Sequence, residues 1–75
     1  MKIGAPVESA AGEARVALTP DSARQLAKLG HKCILQKGAG KAAGFSDDAY
    51  KEAGVDIAAT AAALFKAVDV IIKVQ

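Results

Sequence analysis

Cysteine and histidine are scarce in this 75-residue sequence, which contains only Cys33 and His31. One cysteine excludes a disulfide within the chain, and the pair excludes a structural zinc site built from four such ligands. A chain of this size buries only about 60% of the surface that its unfolded form exposes, so it usually needs a disulfide, a metal or a partner. We therefore expect other protein to cover part of this chain.

Aromatic residues, runs of one charge and long apolar runs are also lacking. The three aromatic residues are scattered, and the ten basic and eight acidic residues are interspersed. Nucleic-acid binding usually needs a basic stripe, often with stacking rings, so no nucleic-acid partner is expected. The longest mostly apolar stretch, residues 57–65, is too short to span a bilayer, which takes about 20 residues. We do not expect the start of the sequence to act as a signal peptide, and the unpaired Cys33 fits a reducing, cytoplasmic setting.

Strand and helix signals alternate along the chain. Apolar, partly β-branched segments predict strands over residues 2–7, 31–36, 55–58 and 68–74. Cap residues predict helices that begin after Thr19, Ser46 and Thr60, and Gly30 and Gly54 end the first two. This alternation predicts an α/β fold, a parallel sheet of about four strands with crossover helices, flavodoxin-like or Rossmann-like. The sequence ends directly after a strand, so we expect this fold to be incomplete as an isolated chain.

Helical spacing and apolar runs also predict which surfaces are buried. The predicted apolar face of the first helix comprises Ala23, Leu26, Ala27 and Gly30. That of the third helix comprises Ala61, Leu64, Phe65 and Val68. The nearly continuous apolar run over residues 68–74 is typical of a parallel strand covered on both faces. Asp56 and Asp69 are interpreted as turn residues beside strands.

Ligands of open parallel sheets bind outside the carboxyl ends of the strands. Three segments emerge there: residues 8–18 with Glu8, Glu13 and Arg15, the turn at residues 38–40, and the end of the fourth strand with Lys73 and Gln75. The Arg15 guanidinium is suited to gripping a carboxylate or phosphate through two parallel hydrogen bonds. From position alone, a salt bridge with a nearby glutamate or a solvated surface arginine is the more common outcome. A lysine such as Lys73 likewise more often extends its ammonium into water than serves a cleft.

Other candidate residues have ordinary structural interpretations. Gly38-x-Gly40-x-x-Ala43 matches a loose dinucleotide-binding pattern, but that motif needs a helix that starts at once, and Ser46 caps a helix only later. We therefore interpret residues 37–45 as a flexible connecting loop. His31 follows a helix-ending glycine and is expected at a helix end or the surface, and Cys33 is expected to be a small buried apolar residue. No catalytic, cofactor-binding or metal-binding residue is assigned.

A resemblance adds to this interpretation, and its motifs are spread over the whole chain. They comprise Ile3-Gly4-x-Pro6-x-Glu8, Glu13-x-Arg15-Val16-Ala17-x-Thr19-Pro20, Leu29-Gly30-His31, Gly38-Ala39-Gly40, Phe45-x-Asp47, Ala53-Gly54 and Lys73-Val74. Together they resemble the N-terminal domain shared by alanine dehydrogenase and the alpha subunits of proton-translocating NAD(P) transhydrogenase. The Arg-Val-Ala-x-Thr-Pro block is the most specific part.

Gln75 discriminates within that family. The resemblance implies that alanine dehydrogenases typically end this strand with Lys-Val-Lys, and that their second lysine and the arginine of the Arg-Val-Ala block bind the 2-oxo acid. Transhydrogenase alpha subunits resemble this sequence in carrying Gln or Asn there. A neutral amide cannot replace a charged donor at a developing oxyanion, and losing such a donor costs about 10²–10³ in rate. The cleft-lining candidates are therefore Arg15, Lys73 and Gln75, in a chain that resembles transhydrogenase more closely.

The resemblance implies hydride transfer between NAD(H) and NADP(H), coupled to proton translocation. NAD is expected on a Rossmann domain downstream of residues 1–75, and NADP on a partner subunit. The implied partners are other transhydrogenase subunits, including a membrane domain, and family members are typically homo-oligomers. The implied location is cytoplasmic, peripheral at the inner membrane through those partners. The alternatives are an alanine dehydrogenase-type amino-acid dehydrogenase and a small non-catalytic interaction module, whose unpaired fourth strand would favour self-association.

Overall fold

The computed structural model describes residues 1–7 and 16–73, in which four strands alternate with three α-helices. The elements are β1 (Lys2–Ala5), α1 (Pro20–Lys28), β2 (Lys32–Gln36), a short 3₁₀ helix (Lys41–Ala43), α2 (Asp47–Glu52), β3 (Asp56–Ala58), α3 (Ala61–Ala67) and β4 (Val70–Ile71). All three strand pairs are parallel. This confirms the predicted α/β fold, and most element boundaries lie within one or two residues of the prediction.

The strand order is β3-β2-β1-β4. Strands β2 and β3 therefore follow one another on one side of β1, and β4 pairs with β1 on the other side. Ala5 is opposite Leu35 of β2, and Gly4 is opposite Ile71 of β4. This reversal puts the carboxyl ends of β1 and β4 side by side, which is where ligands of open α/β sheets usually bind.

The predicted helix caps are confirmed. The Thr19 hydroxyl accepts the Ser22 amide hydrogen at 3.1 Å, and the Ser22 hydroxyl accepts that of Thr19 at 2.9 Å. Ser46 and Thr60 cap α2 and α3 with one bond each, since their hydroxyls accept the amide hydrogens of Ala49 and Ala63. Gly30 follows the end of α1 with φ of +91°, a conformation that glycine adopts without steric cost.

Side chains alternate across the sheet, so each face packs against different helices. Ala5, Cys33 and Leu35 belong to a buried cluster with residues of α1, of α2 and of the segments beside them, namely Leu18, Ala23, Tyr50, Ala53 and Val55. On the other face, Gly4 lies against Leu64 and Val68 from α3. The core therefore has two layers, one on each side of a thin central strand.

Several burial predictions are wrong. Phe65 is 54% exposed, and Ala27 and Gly30 are also exposed, because only a narrow face of each short helix packs against the sheet. The fourth strand is assigned to two residues rather than to 68–74, since Val68 still caps α3 and packs its side chain against Gly4. Within the described residues β4 pairs on one side only, and its two side chains are about one-third exposed.

Asp69 and Asp56 also differ from the prediction of simple turn residues. The Asp69 carboxylate accepts the Lys2 amide hydrogen at 2.8 Å, and the Asp69 amide donates to the Lys2 carbonyl oxygen at 2.8 Å. These two bonds start the pairing of β1 with β4. Asp56 belongs to β3 and forms an exposed ion pair with Lys32 at 3.0 Å, a contact that contributes little at the surface.

Tyr50 holds together three segments that are distant in sequence. Its fully buried hydroxyl donates to the Leu18 carbonyl oxygen at 2.6 Å, and its ring meets Phe45 edge to face with centroids 6.1 Å apart. A Cβ atom at Gly40 would overlap the Tyr50 ring. The turn after β2, helix α2 and the segment before α1 therefore meet at one side chain.

We predict that Gly4→Ala lowers the free energy of unfolding by about 1–3 kcal/mol. The added Cβ would lie 2.7 Å from Val68 Cγ1 and 3.0 Å from Leu64 Cδ1, and a valine side chain adjusts poorly. Urea denaturation of Gly4→Ala, Val68→Ala and the double variant measures this. The alanine at position 4 should cost much less when Val68 is also alanine, and equal costs in both backgrounds would contradict the steric explanation.

We also predict a loss of stability at alkaline pH that depends on Tyr50. Burial raises the pKa of Tyr50, and the negative charge of Asp47 raises it further. The folded protein then keeps the phenol proton where the unfolded chain has lost it. This stability is present below the unfolded pKa of about 10 and is lost as the pH rises beyond it.

Denaturation at several pH values from about 8 to 11 tests this expectation. Tyr50→Phe should lose about 1–3 kcal/mol at neutral pH, because the Leu18 carbonyl is left unpaired, and its stability should fall less steeply above pH 10. Burial also raises the pKa of the Cys33 thiol, so the Cys33→Ala variant is the control that measures how much of the alkaline loss of stability comes from this thiol. Parallel profiles for the wild type and Tyr50→Phe would contradict the prediction.

Candidate functional site

The candidate site is the carboxyl edge of the sheet where β1 and β4 end next to each other. Backbone pairing continues past the strands, since the Ile72 amide donates to the Gly4 carbonyl oxygen at 2.9 Å. Val7 leaves β1 at this edge, and Lys73 follows β4 at the same edge. The sheet therefore brings Val7 and Lys73 to the same edge.

The structure describes one of the three cleft-lining candidates, Lys73, whose side chain is exposed. Arg15 and Gln75 lie outside the described residues, as do Glu8 and Glu13, so no contact among these candidates is described. The segment with Arg15 joins Val7 to Val16, and Gln75 is two residues beyond Lys73. Of the three candidates the structure therefore places Lys73 alone at the β1–β4 edge.

Side chains from elsewhere in the fold hold both ends of the segment that contains Arg15. At its start, the Gln36 side-chain oxygen accepts the Val7 amide hydrogen at 2.9 Å. At its end, the Leu18 carbonyl oxygen accepts the Tyr50 hydroxyl proton, and Leu18 is itself fully buried. Both bonded residues, Val7 and Leu18, lie within three residues of the undescribed segment.

The glycine-rich turn after β2 is structured, which corrects the interpretation of residues 37–45 as a flexible connection. The Gly38 amide donates to the Asp47 carboxylate at 3.0 Å, and the Phe45 amide donates to the Gly40 carbonyl at 2.9 Å. A three-residue 3₁₀ helix follows Gly40, so no α-helix begins where the dinucleotide-binding motif needs one. The turn therefore lacks the geometry of a pyrophosphate-binding loop, in agreement with the sequence argument. The absence of a side chain at Gly40 instead leaves space for the Tyr50 ring.

The remaining polar candidates lie away from this edge. His31 is half-buried at the amino end of β2, just after α1, in agreement with the helix-end prediction. Cys33 is buried, and burial raises the pKa of its thiol, so it stays protonated and is a poor nucleophile. Among the described residues no group of three His, Cys, Asp or Glu is arranged to hold a metal ion. No helix in residues 1–7 and 16–73 has the length and hydropathy of a membrane span.

An open groove of about 550 Å³ lies beside β3, at the opposite end of the sheet from β4. Two lysines and two aspartates line it together with residues of β3 and beside it, namely Lys37, Asp47, Lys51, Asp56, Gly54, Val55, Ile57 and Ala59. Its charges are mixed and Lys32 pairs with Asp56 beside it. The groove therefore has no contact with the β1–β4 edge and is not part of the candidate site.

Gln36 and Tyr50 were missed as important residues in the sequence. Gln36 stands at the end of an apolar strand, where a polar residue is unremarkable without knowledge of which strand lies beside it. Tyr50 carried a weak signal, since a buried tyrosine hydroxyl usually needs a partner. Neither partner was predictable, because the hydrogen bonds span 29 and 32 residues of sequence.

Known proteins match this chain in both sequence and structure. The family model described as "Alanine dehydrogenase/PNT, N-terminal domain" matches residues 4–75. The NAD(P) transhydrogenase subunit alpha of Cereibacter sphaeroides is 63% identical over 75 residues, which are the whole chain and 14% of the relative. An alanine dehydrogenase of Halomonas elongata is 45% identical over the same length, 20% of that relative.

A solved L-alanine dehydrogenase structure has the same fold. It superposes with a TM-score of 0.91 at 36% identity, and the match covers 97% of this chain and 20% of the other. The chain thus spans about a fifth or less of the length of these proteins. Their sequence identities to the chain are higher than those of proteins that share only a fold. Since the family model covers nearly the whole sequence, this chain belongs to the alanine dehydrogenase/PNT N-terminal domain family.

Proposed function

We propose that this chain is part of the NAD(H)-binding alpha subunit of a proton-translocating NAD(P) transhydrogenase. The observation that carries the proposal is the 63% identity to the Cereibacter sphaeroides alpha subunit across all 75 residues, against 45% to the Halomonas elongata alanine dehydrogenase. Gln75 supports the same choice, because alanine dehydrogenases typically carry a lysine at that position. In the proposed reaction NADH gives a hydride to NADP⁺, which yields NAD⁺ and NADPH.

Arg15, Lys73 and Gln75 line the cleft in this proposal, and none is assigned a catalytic step. The described residues do not fit a bound dinucleotide, since the Gly38–Gly40 turn leads into a 3₁₀ helix and the Gly40 position is filled by Tyr50. In this proposal NAD is bound by a domain downstream of residues 1–75, and NADP by a partner subunit. The chain's contribution is the edge of the sheet that faces that domain, with Arg15 available to an anionic group.

The assembly belongs to the proposal as well. The partners are other transhydrogenase subunits, including a membrane domain, and the protein is a homo-oligomer on the cytoplasmic side of the inner membrane. A relative named as subunit alpha supports the presence of further subunits. The exposed, singly paired β4 supports a covering neighbour, since a bare strand edge would otherwise promote aggregation.

Alanine dehydrogenase activity is the second candidate. The superposition with L-alanine dehydrogenase and the Arg15-Val16-Ala17-x-Thr19-Pro20 block favour it. It requires a charged donor for the 2-oxo acid, and the neutral Gln75 amide does not supply one.

We expect the full-length protein to oxidise NADH with an NADP analogue as acceptor only when its partner subunits are present. The same preparation should turn pyruvate, ammonia and NADH into alanine at a rate about 10²–10³ below that of an alanine dehydrogenase assayed in parallel. Absorbance of the reduced nucleotides and chromatographic detection of alanine measure the two reactions. Brisk alanine formation without partners would reject the transhydrogenase proposal in favour of the second candidate.

A further inference from the structure

Strand β3 ends the sheet, and its outer edge carries backbone groups that no described strand covers. In the order β3-β2-β1-β4 it has a neighbour on one side only. The Ala58 carbonyl oxygen accepts the Lys37 amide hydrogen at 2.8 Å, so the backbone groups of Ala58 point toward β2 and the residue after it. Because the backbone groups of successive strand residues point to alternate sides, those of Ile57 point away from the sheet. Within the described residues, Ile57 therefore presents an open donor and an open acceptor.

The open groove beside β3 carries charges of both signs along this edge. Asp56 and Ile57 line it, and its two lysines and two aspartates balance each other in formal charge. Asp47 and Lys51 are four residues apart on α2, which puts them on one side of that helix, and both line the groove. Within the described residues neither of these two side chains forms an ion pair. One helix therefore turns an acidic and a basic group toward the open edge of the sheet.

This arrangement of charges is complementary to itself. A contact around a two-fold axis joins the same surface of two copies, so that surface must carry both members of every attractive pair. An antiparallel pair of β3 strands centred on Ile57 exchanges two backbone hydrogen bonds between the two copies of this one residue. The same axis sets the two copies of α2 antiparallel, so that Asp47 of each copy faces Lys51 of the other. A strongly acidic or strongly basic partner would meet as many repulsive as attractive groups in this groove.

The two edges of the sheet differ in what they can bind. Strand β3 has only three residues and an exposed Asp56, and both features discourage pairing with an unrelated strand edge. The exposed side chains of β4, Val70 and Ile71, are apolar and carry no such restriction. Exposed ion pairs add little binding energy, but they select the partner and fix its orientation. The β3 edge therefore suits a partner that supplies opposite charges in the matching order, as a second copy of the chain does.

We propose that the β3 edge and its groove form a two-fold contact between two copies of this chain. In this contact β3 pairs antiparallel with β3 of the other copy through Ile57, and Asp47 meets Lys51 of the other copy. The two sheets are then continuous across the axis. The contact supplies a surface for the homo-oligomer in the proposed function, and it rests on that function only in this respect, because it involves no nucleotide and no step of the reaction.

Disulfide cross-linking of the full-length protein tests the register of the contact. Pairing centred on Ile57 puts Asp56 opposite Ala58 of the other copy, with Cα atoms about 4.5 Å apart, a separation that a disulfide spans. The double variant Asp56→Cys/Ala58→Cys should therefore link two chains under mild oxidation, as measured by non-reducing electrophoresis and peptide mass spectrometry. Asp56→Cys alone is the matched control, because its two copies are only diagonal neighbours, and it should link about tenfold less. No linkage, or equal linkage in both variants, overturns the proposal.

Charge reversal combined with amide hydrogen exchange tests whether the contact joins two copies. Asp47→Lys alone or Lys51→Asp alone puts like charges across the axis, so the Ile57 amide should exchange about tenfold faster than in the wild type. When the two variants are co-expressed, each contact again joins opposite charges, and slow exchange should return. Damage within one chain would not be repaired by mixing. The Ala58 amide is the internal control, because it points toward β2 with or without the second copy.

Three outcomes of the exchange experiment contradict the contact. They are fast exchange at Ile57 in the wild type, slow exchange that persists in both single variants, and fast exchange that mixing does not reverse. Neither experiment depends on the reaction. Cross-linking and restored exchange in a protein without transhydrogenase activity would reject the proposed function alone, and an active transhydrogenase that fails both experiments would reject the contact alone.

Discussion

The buried hydroxyl of Tyr50 is the contact on which most of this small fold depends. Its bond to the Leu18 carbonyl oxygen joins α2 to the chain that leads into α1, across 32 residues of sequence. The ring of the same residue fills the space that Gly40 leaves open in the turn after β2. Because an unpaired polar group in a core costs about 1–3 kcal/mol, this bond specifies one arrangement of three segments rather than merely adding stability.

The second constraint is the small size of Gly4 and Ala5 in β1, an inner strand of the sheet. Gly4 has no side chain, so Leu64 and Val68 reach the backbone of the strand, and Ala5 leaves the opposite face to larger neighbours. Strands therefore pair on both sides of β1 while α3 and Val68 approach its backbone closely at Gly4. The reversal of strand order occurs at this strand, and the candidate site lies at its carboxyl end.

Sequence signals predicted the structure reliably where the interactions involved connect residues that are close in sequence. Thr19, Ser46 and Thr60 cap helices through hydrogen bonds that reach only three residues ahead, so the sequence contains all that the prediction needs. Burial was less predictable, as Phe65 shows, because exposure depends on which neighbours a short helix meets. The carboxyl ends of β1 and β4 share one edge, as the parallel class of the sheet predicts, and the candidate site at that edge stays a prediction.

By itself the sequence determined the alternation of strands and helices, their caps, the parallel class of the sheet and the family resemblance that motifs such as Arg15-Val16-Ala17 carry. Tertiary structure alone decided that β4 pairs beside β1, that Gln36 bonds Val7 and Tyr50 bonds Leu18, and that an aromatic ring fills the space beside Gly40. The reason is one of range. Caps and periodicity act over a single turn of chain, whereas strand order and long-range hydrogen bonds exist only once distant segments have packed together.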